Sequence, residues 1–346
     1  MVIAVDAMGG DRPLTVQVEA AVRAVQELGI EVIIVGAESQ INQLLKKESY
    51  DRRKLRVVNS EEIVEMNELP TSALRQKKDS SIRVALDLVK AGEADAVVSA
   101  GNTGASMATA KFVLKSVEGI ERPAIASLMP SVHSKHPFVL LDIGANTDCK
   151  PLYLFQFALM GDAYARTYLH LEKPRVALLN VGEEEGKGYL DLKETYNLMK
   201  QSTLNFVGNI EGQTMFKDRV DVVVCDGFIG NIALKVAEGT FDFVRNILRE
   251  EVSKSWFSKL GYFAMRGPFQ QLSKRADYTE VGGAPLLGVN GIVIVCHGSS
   301  KVHTLRNAII HAQKCAEEKL NDKIAAEVYE NLELIKHAKK MNSQSI

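Results

Sequence analysis

Short apolar runs rich in valine and isoleucine recur along the chain, and most are continuous rather than alternating with polar residues. Continuous runs are typical of strands that are covered on both faces. Between them, residues 14–25 and 82–89 carry apolar side chains at helical spacing, and each stretch ends before a glycine, Gly29 and Gly92. This alternation predicts an α/β fold with a mainly parallel sheet and helices on both sides. The predicted strands are residues 2–5, 32–35, 55–58, 96–98, 138–141, 176–179, 222–224 and 292–295.

Composition limits the classes of protein to which the chain can belong. It has 346 residues, with 42 Lys and Arg against 43 Asp and Glu, and this near balance argues against nucleic-acid binding. No apolar run approaches the roughly 20 residues of a membrane-spanning helix, and the start of the chain lacks a signal-peptide pattern. The four cysteines lie far apart without a C-x-x-C pair, so we expect neither disulfides nor zinc. We expect one cytoplasmic α/β domain over residues 1–346, with no metal and no cofactor.

Glycine-rich loops follow five of the predicted strands, at residues 6–11, 99–105, 142–148, 226–231 and 297–300. In an open α/β sheet, ligands bind beyond the carboxyl ends of the strands, and we expect all five loops at the same edge. Glycine lets backbone N–H groups approach an anion, and a following helix adds positive potential. One such loop is as easily a structural turn, but five together favour a phosphate or other anion site. The candidate binding residues are Asp6, Gly9, Gly10, Ser99, Asn102, Thr103, Gly104, Asp142, Gly298 and Ser299.

Common catalytic motifs are missing from the sequence. It has no G-x-G-x-x-G, no G-x-S-x-G and no H-E-x-x-H, and residues 182–188 only partly match a P-loop. Lys187 lies between two glycines, where its ammonium could swing onto a phosphate, or it could neutralise the glutamates at 183–185. His297 is either an active-site donor or a histidine at a strand end. Asp6 and Asp142 could orient donors, act as a base or cap the next helix.

A second unusual segment covers residues 241–276. Val252, Trp256, Leu260 and Phe263 fall on one helical face, and residues 252–276 carry five basic and no acidic residues. We expect glycines at 261 and 267 to divide the segment into short helices. A basic amphipathic helix is typical of a surface for a membrane, an acidic partner or nucleic acid. The alternative is an apolar face packed in a dimer interface.

Seven motifs in order resemble the bacterial phosphate acyltransferase (PlsX) family. Members of this family convert acyl-acyl carrier protein and inorganic phosphate to an acyl phosphate for phospholipid synthesis. The resemblance runs over nearly the whole chain. The motifs are residues 5–11, 99–105, 142–146, 180–185, 226–231, 282–288 and 297–299.

The resemblance implies a Rossmann-like three-layer α/β/α sandwich, related in fold to phosphate acetyltransferases and isopropylmalate-type dehydrogenases. It also implies a homodimer with peripheral contact to the inner face of the cell membrane. The segment 241–276 is then a protruding helical hairpin that faces the membrane, or steers the acidic acyl carrier protein. Its contact residues would be Trp256, Phe257, Leu260, Phe263, Lys254, Lys259 and Arg266.

The chemistry of this reaction suggests roles for four residues. Phosphate is already a nucleophile, so direct attack on the thioester needs no covalent intermediate. We expect Lys187 to be the counter-charge of phosphate, Asn146 and Asn231 to be oxyanion donors, and His297 to protonate the leaving thiolate. Three alternatives remain at this point: a phosphate acetyltransferase using acyl-coenzyme A, a dehydrogenase of related fold, and a non-catalytic membrane-docked scaffold.

Overall fold

The structure is a computed structural model that describes residues 1–132, 136–269, 271 and 282–344. Its strands are β1 Val2–Asp6, β2 Glu31–Gly36, β3 Leu55–Asn59, β4 Ala96–Ser99, β5 Ala124–Met129, β6 Phe138–Leu141, β7 Val176–Leu179, β8 Phe206–Ile210, β9 Val222–Val224, β10 Ala284–Leu287 and β11 Ile292–Val295. Its helices are α1 Leu14–Leu28, α2 Glu38–Leu45, α3 Pro70–Gln76, α4 Ser81–Lys90, α5 Thr103–Leu114, α6 Pro151–Tyr168, α7 Leu190–Gln201, α8 Gly227–Ser253, α9 Trp256–Ala264, α10 Val302–Glu317, α11 Leu320–Glu330 and α12 Leu332–Gln344. Across the described residues the strands form one eleven-stranded sheet, in the order β3-β2-β1-β4-β11-β10-β5-β6-β9-β7-β8.

The predicted strands are all confirmed, and the first helix ends as expected, since Gly29 has φ +68° and its N–H donates to the carbonyl of Val25. Three further strands, β5, β8 and β10, were not predicted. Their sequences are AIASLM, FVGNI and APLL, and alanine, glycine, asparagine and proline are all depleted in strands.

Alternate residues of the strands face two different helical layers. In β1, Ile3 and Val5 belong to the largest core cluster, while Ala4 belongs to a second cluster on the other face. In β6, Val139 again belongs to the largest cluster, while Leu140 belongs to a third. One face of the sheet is therefore backed by a continuous core, and the other face by two separate cores. The predicted three-layer sandwich is confirmed.

The sheet reverses direction at its centre. The strands β1, β2, β3, β4 and β11 are parallel to one another, and so are β6, β7, β8 and β9. Between these halves stand β10 and β5, and the pairs β11–β10, β10–β5 and β5–β6 are all antiparallel. The two halves therefore run in opposite directions, and the expectation that all five glycine-rich loops share one edge is wrong. The unpredicted strands β10 and β5 cause the reversal.

Helix α9 and most of helix α8 are exposed. In α8 only Gly227, Gly230 and Leu234 are buried, and α9 has no buried residue. The break between these helices falls at residues 254–255, so Val252 lies on α8, apart from Trp256 on α9. The expectation of a helix break at Gly261 is wrong, because this glycine lies inside α9. Residues 270 and 272–276 of the predicted segment lie outside the described residues.

The positive charge predicted for residues 252–276 is partly neutralised by acidic residues that precede this window. Lys254 lies 3.5 Å from a carboxylate oxygen of Glu250 and also pairs with Glu251, both on the last turn of α8. The four predicted apolar contact residues are exposed: Trp256, Phe257, Leu260 and Phe263. Among the described residues, no helix has both the length and the apolar character needed to cross a bilayer.

Candidate active site

A large cavity of about 1590 Å³ opens on the face of the sheet where the core is divided. Its lining brings together side chains from loops of both halves of the sheet, including Arg12, Thr103 and His297 from one half and Asn231 from the other. The loops that sequence analysis expected at one edge therefore meet over the central strands instead. Ile125, Ser127 and Met129 of β5 also line the cavity.

Asp6 fixes the loops next to the cavity and does not line it. Its carboxylate is buried and accepts hydrogen bonds from the Gly9 N–H at 3.2 Å, the Ser81 hydroxyl at 2.5 Å and the Ser99 hydroxyl at 2.6 Å. Burial raises the pKa of Asp6, and the bonds from Ser81 and Ser99 oppose this rise. Ser99 in turn accepts from the N–H of Gly101 at 3.1 Å. Asp6 and Ser99 thus tie the ends of β1 and β4 together, and their role toward phosphate stays a prediction.

The predicted glycines at this end allow three loops to touch. A Cβ on Gly9 would lie 2.7 Å from the Cα of Gly101. Gly10 has φ +101°, and a Cβ there would lie 3.2 Å from the carbonyl oxygen of Gly298. The N–H of Asp11 also donates to that carbonyl at 2.9 Å. These contacts account for the glycines through packing of one loop against another.

One of the four candidates in the loop at residues 99–105 lines the cavity. Asn102 caps α5, because its Oδ1 accepts from the Ala105 N–H at 3.0 Å, and its Nδ2 donates to the carbonyls of Met66 and Glu68. Gly104 lies against Pro70, which a Cβ would approach to 2.8 Å. Thr103, at the first position of α5, lines the cavity.

Asp142 organises the equivalent loop of the second half. Its carboxylate accepts from the backbone N–H groups of Ile125, Gly144, Ala145 and Asn146, at 2.7 to 3.2 Å. Burial raises the pKa of Asp142, and the hydrogen bonds from Ala145, Asn146 and Ile125 oppose this rise. The Asn146 amide donates to Asp142 at 3.0 Å and to the carbonyl of Pro123 at 2.8 Å, so both its protons are used within the fold.

Asn231 is the amide that faces the cavity. It lies on the first turns of α8, where Asp226 caps the helix by accepting from the Ile229 N–H at 2.9 Å. Its side chain is exposed, lines the cavity and has no hydrogen-bond partner among the described residues. Gly144 lies opposite, and a Cβ built on it would be 3.8 Å from the Cβ of Asn231. Of the two predicted oxyanion donors, the structure places only Asn231 in the cavity.

Lys187 lies beside the cavity and does not line it. Its ammonium is 3.9 Å from a carboxylate oxygen of Glu184, and its side chain is half exposed. This distance matches the interpretation in which the lysine neutralises the neighbouring glutamates. The next two residues, Gly188 and Tyr189, do line the cavity. The role of Lys187 toward phosphate stays a prediction.

His297 lines the cavity with a defined tautomer. Its Nδ1 accepts from the backbone N–H of Ser299 at 3.2 Å and lies 2.8 Å from the Ser299 hydroxyl. Because a backbone N–H can only donate, Nδ1 carries no proton and the proton is on Nε2. His297 therefore presents an N–H donor.

Sequence analysis missed further polar residues at this end of the cavity. Arg12 donates from Nε to the carbonyl of Ser299 at 3.2 Å. Ser300, Lys301 and Thr304, from the loop before α10 and its first turn, also line the cavity. The run Ser-Ser-Lys before a helical pattern, and an arginine two residues after Gly10, were signals that could have found them.

The rest of the cavity is mostly apolar. The α8 residues Ala233 and Ala237 pack against the third core cluster, beside Leu179 and Phe216. Met129 and Met215 complete this wall. The two alanines leave room between α8 and the sheet, and methionine side chains adapt to the shape of an apolar ligand. One cavity thus has a polar end and an apolar body.

Comparisons with known proteins agree with the sequence motifs. A family described as fatty acid synthesis protein matches residues 1–323. A phosphate acyltransferase of Geobacter sulfurreducens is 47% identical over 325 residues, covering 94% of this chain and 93% of that protein. One of Geotalea uraniireducens is 47% identical over 334 residues, covering 96% of each.

Solved structures show the same fold at low sequence identity. A phosphotransacetylase from Streptococcus pyogenes covers 92% of this chain and 94% of its own, with a TM-score of 0.61 at 20% identity. A 4-hydroxythreonine-4-phosphate dehydrogenase from Klebsiella pneumoniae covers 91% and 99%, with a TM-score of 0.53 at 14% identity. The fold alone therefore does not separate acyl transfer from dehydrogenation. The near-full-length identity to curated relatives does: the chain belongs to the fatty acid synthesis protein family, the PlsX-type phosphate acyltransferases that its motifs indicate, and is an acyltransferase.

Proposed function

We propose that the chain transfers a long-chain fatty acyl group from acyl carrier protein to inorganic phosphate, and that the acyl phosphate enters phospholipid synthesis. The observation that carries the proposal is the joining of a polar end and an apolar body in one cavity of about 1590 Å³. A phosphate and a fatty acyl chain need these two environments side by side. The relatives' name, phosphate acyltransferase, supports the same chemistry.

The reaction proceeds by direct attack of bound phosphate on the thioester. An oxygen of hydrogen phosphate forms a bond to the acyl carbon, the carbon–sulfur bond breaks, and the phosphate proton ends on the carrier thiol. Holding both reactants at attack distance can supply about 7–11 kcal/mol. The protein's main tasks are therefore positioning and stabilisation of the tetrahedral oxyanion.

The proposed roles follow from the positions of the side chains. Asn231 donates to the oxyanion, a contribution typically worth about 3–4 kcal/mol. His297 donates a hydrogen bond from Nε2 to the sulfur as the carbon–sulfur bond breaks, and the thiolate takes up the proton that hydrogen phosphate releases. Lys187 approaches the phosphate from the rim beside Gly188. The remaining predicted residues that do not line the cavity, including Asn146, act through the loops that they hold.

The hairpin of α8 and α9 supplies the proposed contact with partners. Exposed aromatic residues such as Trp256 and Phe263 suit the inner face of the cell membrane, or a second subunit of a homodimer. Lys259 and Arg266 would attract acidic acyl carrier protein or anionic lipid. The test is sedimentation with anionic vesicles for Trp256→Ala beside the unmodified chain. Equal sedimentation of both would assign Trp256 to a protein contact instead.

The proposed activity is tested by hydroxylamine trapping of acyl phosphate formed from palmitoyl-acyl carrier protein and inorganic phosphate. We expect product that depends on phosphate, with a phosphate-free control. Product from acetyl-coenzyme A alone would instead indicate a phosphate acetyltransferase. Folded protein that gives no product from either donor would contradict the proposal and favour the membrane-docked scaffold.

A further inference from the structure

We propose that the reacting phosphate binds at the amino end of α10, on the hydroxyls of Ser300 and Thr304. The guanidinium of Arg12 and the ammonium of Lys301 supply the positive charge. This inference rests on the proposed function, because it locates the phosphate of that reaction. It moves the centre of the phosphate site from the glycine loops at residues 9–10 and 102–104 to the start of α10.

Two buried hydroxyls without partners mark the position. Ser300 and Thr304 are each only 8% exposed, and both line the cavity. Neither hydroxyl has a hydrogen-bond partner among the residues that the structure describes, and neither is fully enclosed, so the small exposed part of each side chain opens to the cavity. Hydroxyls that are largely withdrawn from bulk solvent and lack a protein partner are suited to bind a ligand in the cavity. The oxygens of a phosphate in the cavity would accept from both hydroxyls.

The charges of the cavity favour the same end. On α8, Lys235 lies 3.0 Å from a carboxylate oxygen of Glu238, and Arg245 lies 2.7 Å from one of Asp242. These cations are already neutralised on their own helix.

In contrast, Arg12 and Lys301 line the cavity without an ion pair among residues 1–132, 136–269, 271 and 282–344. Arg12 uses Nε for the carbonyl of Ser299, which fixes the direction of its guanidinium and leaves the remaining N–H groups for an anion.

The backbone of α10 adds to this charge. The helix has 16 residues, and its capping residue, Lys301, makes no side-chain hydrogen bond to the first turn. The first N–H groups therefore have no side-chain cap, and the positive end of the helix dipole points to the cavity residues that precede it. In α5, by contrast, the side-chain Oδ1 of the capping residue Asn102 accepts a hydrogen bond from the Ala105 N–H of the first turn. The first turn of α10 is therefore better suited to bind an anion than the first turn of α5.

The inference is tested by calorimetric titration of inorganic phosphate into the full chain, without an acyl donor. We expect Thr304→Val and Arg12→Met each to weaken phosphate binding by about 10- to 100-fold, the usual cost of losing a hydrogen bond to a charged group. The matched controls are Thr240→Val and Arg245→Met, which change the same residue types on the α8 wall of the cavity. We expect them to leave the phosphate affinity within about twofold of the unmodified chain.

Thr304→Ser keeps the hydroxyl, so it should restore binding even if the valine variant folds poorly. Equal affinities for all variants would overturn the inference, and so would a loss confined to Lys187→Ala. Absence of phosphate binding by the unmodified chain would overturn it as well. Phosphate binding that depends on Thr304, in a chain that makes no acyl phosphate, would sustain the site and refute the proposed function. Acyl phosphate synthesis with a phosphate KM unaffected by Arg12→Met and Thr304→Val would refute the site and sustain the proposed function.

Discussion

The Ser99 hydroxyl donates to the buried carboxylate of Asp6 at 2.6 Å, which ties the end of β4 to the end of β1. We expect Ser99→Ala to lower the free energy of unfolding by about 1–3 kcal/mol, because it removes a donor from a buried carboxylate. Ser60 is the matched control, since its hydroxyl is also buried but has no hydrogen-bond partner among the described residues. Urea denaturation should show little loss, or a gain, for Ser60→Ala. Equal losses for both would contradict the role given to Asp6.

Two glycines of α8 should respond in opposite directions to alanine. A Cβ on Gly230 would overlap the backbone carbonyl oxygen of Asp142, whereas a Cβ on Gly239 would meet nothing within 4 Å. We expect Gly230→Ala to destabilise the chain by about 3 kcal/mol through this overlap. Gly239→Ala should stabilise it by roughly 0.5–1 kcal/mol through helix propensity. Thermal unfolding monitored by circular dichroism measures both changes in stability. An unchanged stability of Gly230→Ala would mean that the Asp142 loop moves to make room for the Cβ.

Asn231 is expected to act on the chemical step. We expect Asn231→Ala to lower kcat by about 10²–10³-fold, with a much smaller change in the phosphate KM, because the donor serves the developing oxyanion. Asn246→Ala, on the exposed part of α8, is the control for a lost amide on this helix. Steady-state kinetics with palmitoyl-acyl carrier protein checks the prediction. A rise in KM at unchanged kcat would assign Asn231 to substrate binding instead.

Lys187 is expected to act on phosphate rather than on the acyl donor. We expect Lys187→Ala to raise the apparent KM for phosphate by about tenfold, the ordinary scale of one lost charge-assisted contact, and to change the acyl-donor KM less. Lys200→Ala is the control, because Lys200 pairs with Glu185 of the same acidic run at 2.8 Å. An unchanged phosphate KM in Lys187→Ala would remove Lys187 from this role.

Asp162 should make the stability of the chain depend on pH. Burial raises the pKa of this carboxyl to about 6, although Arg166 at 3.0 Å opposes the rise. Between about pH 4 and pH 6 the unfolded chain has lost this proton while the folded chain still holds it. The contribution of Asp162 to the unfolding free energy therefore falls as the pH rises through this window, by up to about 3 kcal/mol.

The variant Asp162→Asn should flatten the unfolding free energy between pH 4 and pH 6. Urea denaturation at several pH values measures this slope. Asp87→Asn is the control, because Asp87 pairs with Arg83 at the same i,i+4 spacing but is more exposed than Asp162. It should leave the slope unchanged. A slope that persists in Asp162→Asn would assign the pH dependence to other carboxyls.

The sequence predicted the strands well because their apolar runs are continuous, and the runs around Ile3 and Val139 are buried on both faces. The reversal of the sheet could not be predicted, because it depends on β10 and β5, whose sequences favour strands weakly. The pairing of strands distant in the chain leaves no local pattern.

The candidate site was predicted in outline. The glycine loops do lie around the cavity, but Gly9 and Gly10 permit contact between loops, and the Asn146 amide is used within the fold. Arg12 and Thr304 were missed because each lies just beyond a glycine-rich loop, and only the folded chain shows that both line one cavity. A lone residue acquires its role from neighbours that are distant in sequence.

The undivided core behind the sheet serves both halves at once. Helix α6, buried on nearly all sides, contributes Phe155, Phe157 and Tyr164 to it. On the cavity side the two smaller cores meet around Ile143, a partly buried residue that packs against both. Both halves of the sheet are therefore anchored to one shared core, whereas the cavity side has a seam at Ile143, where the two smaller cores meet.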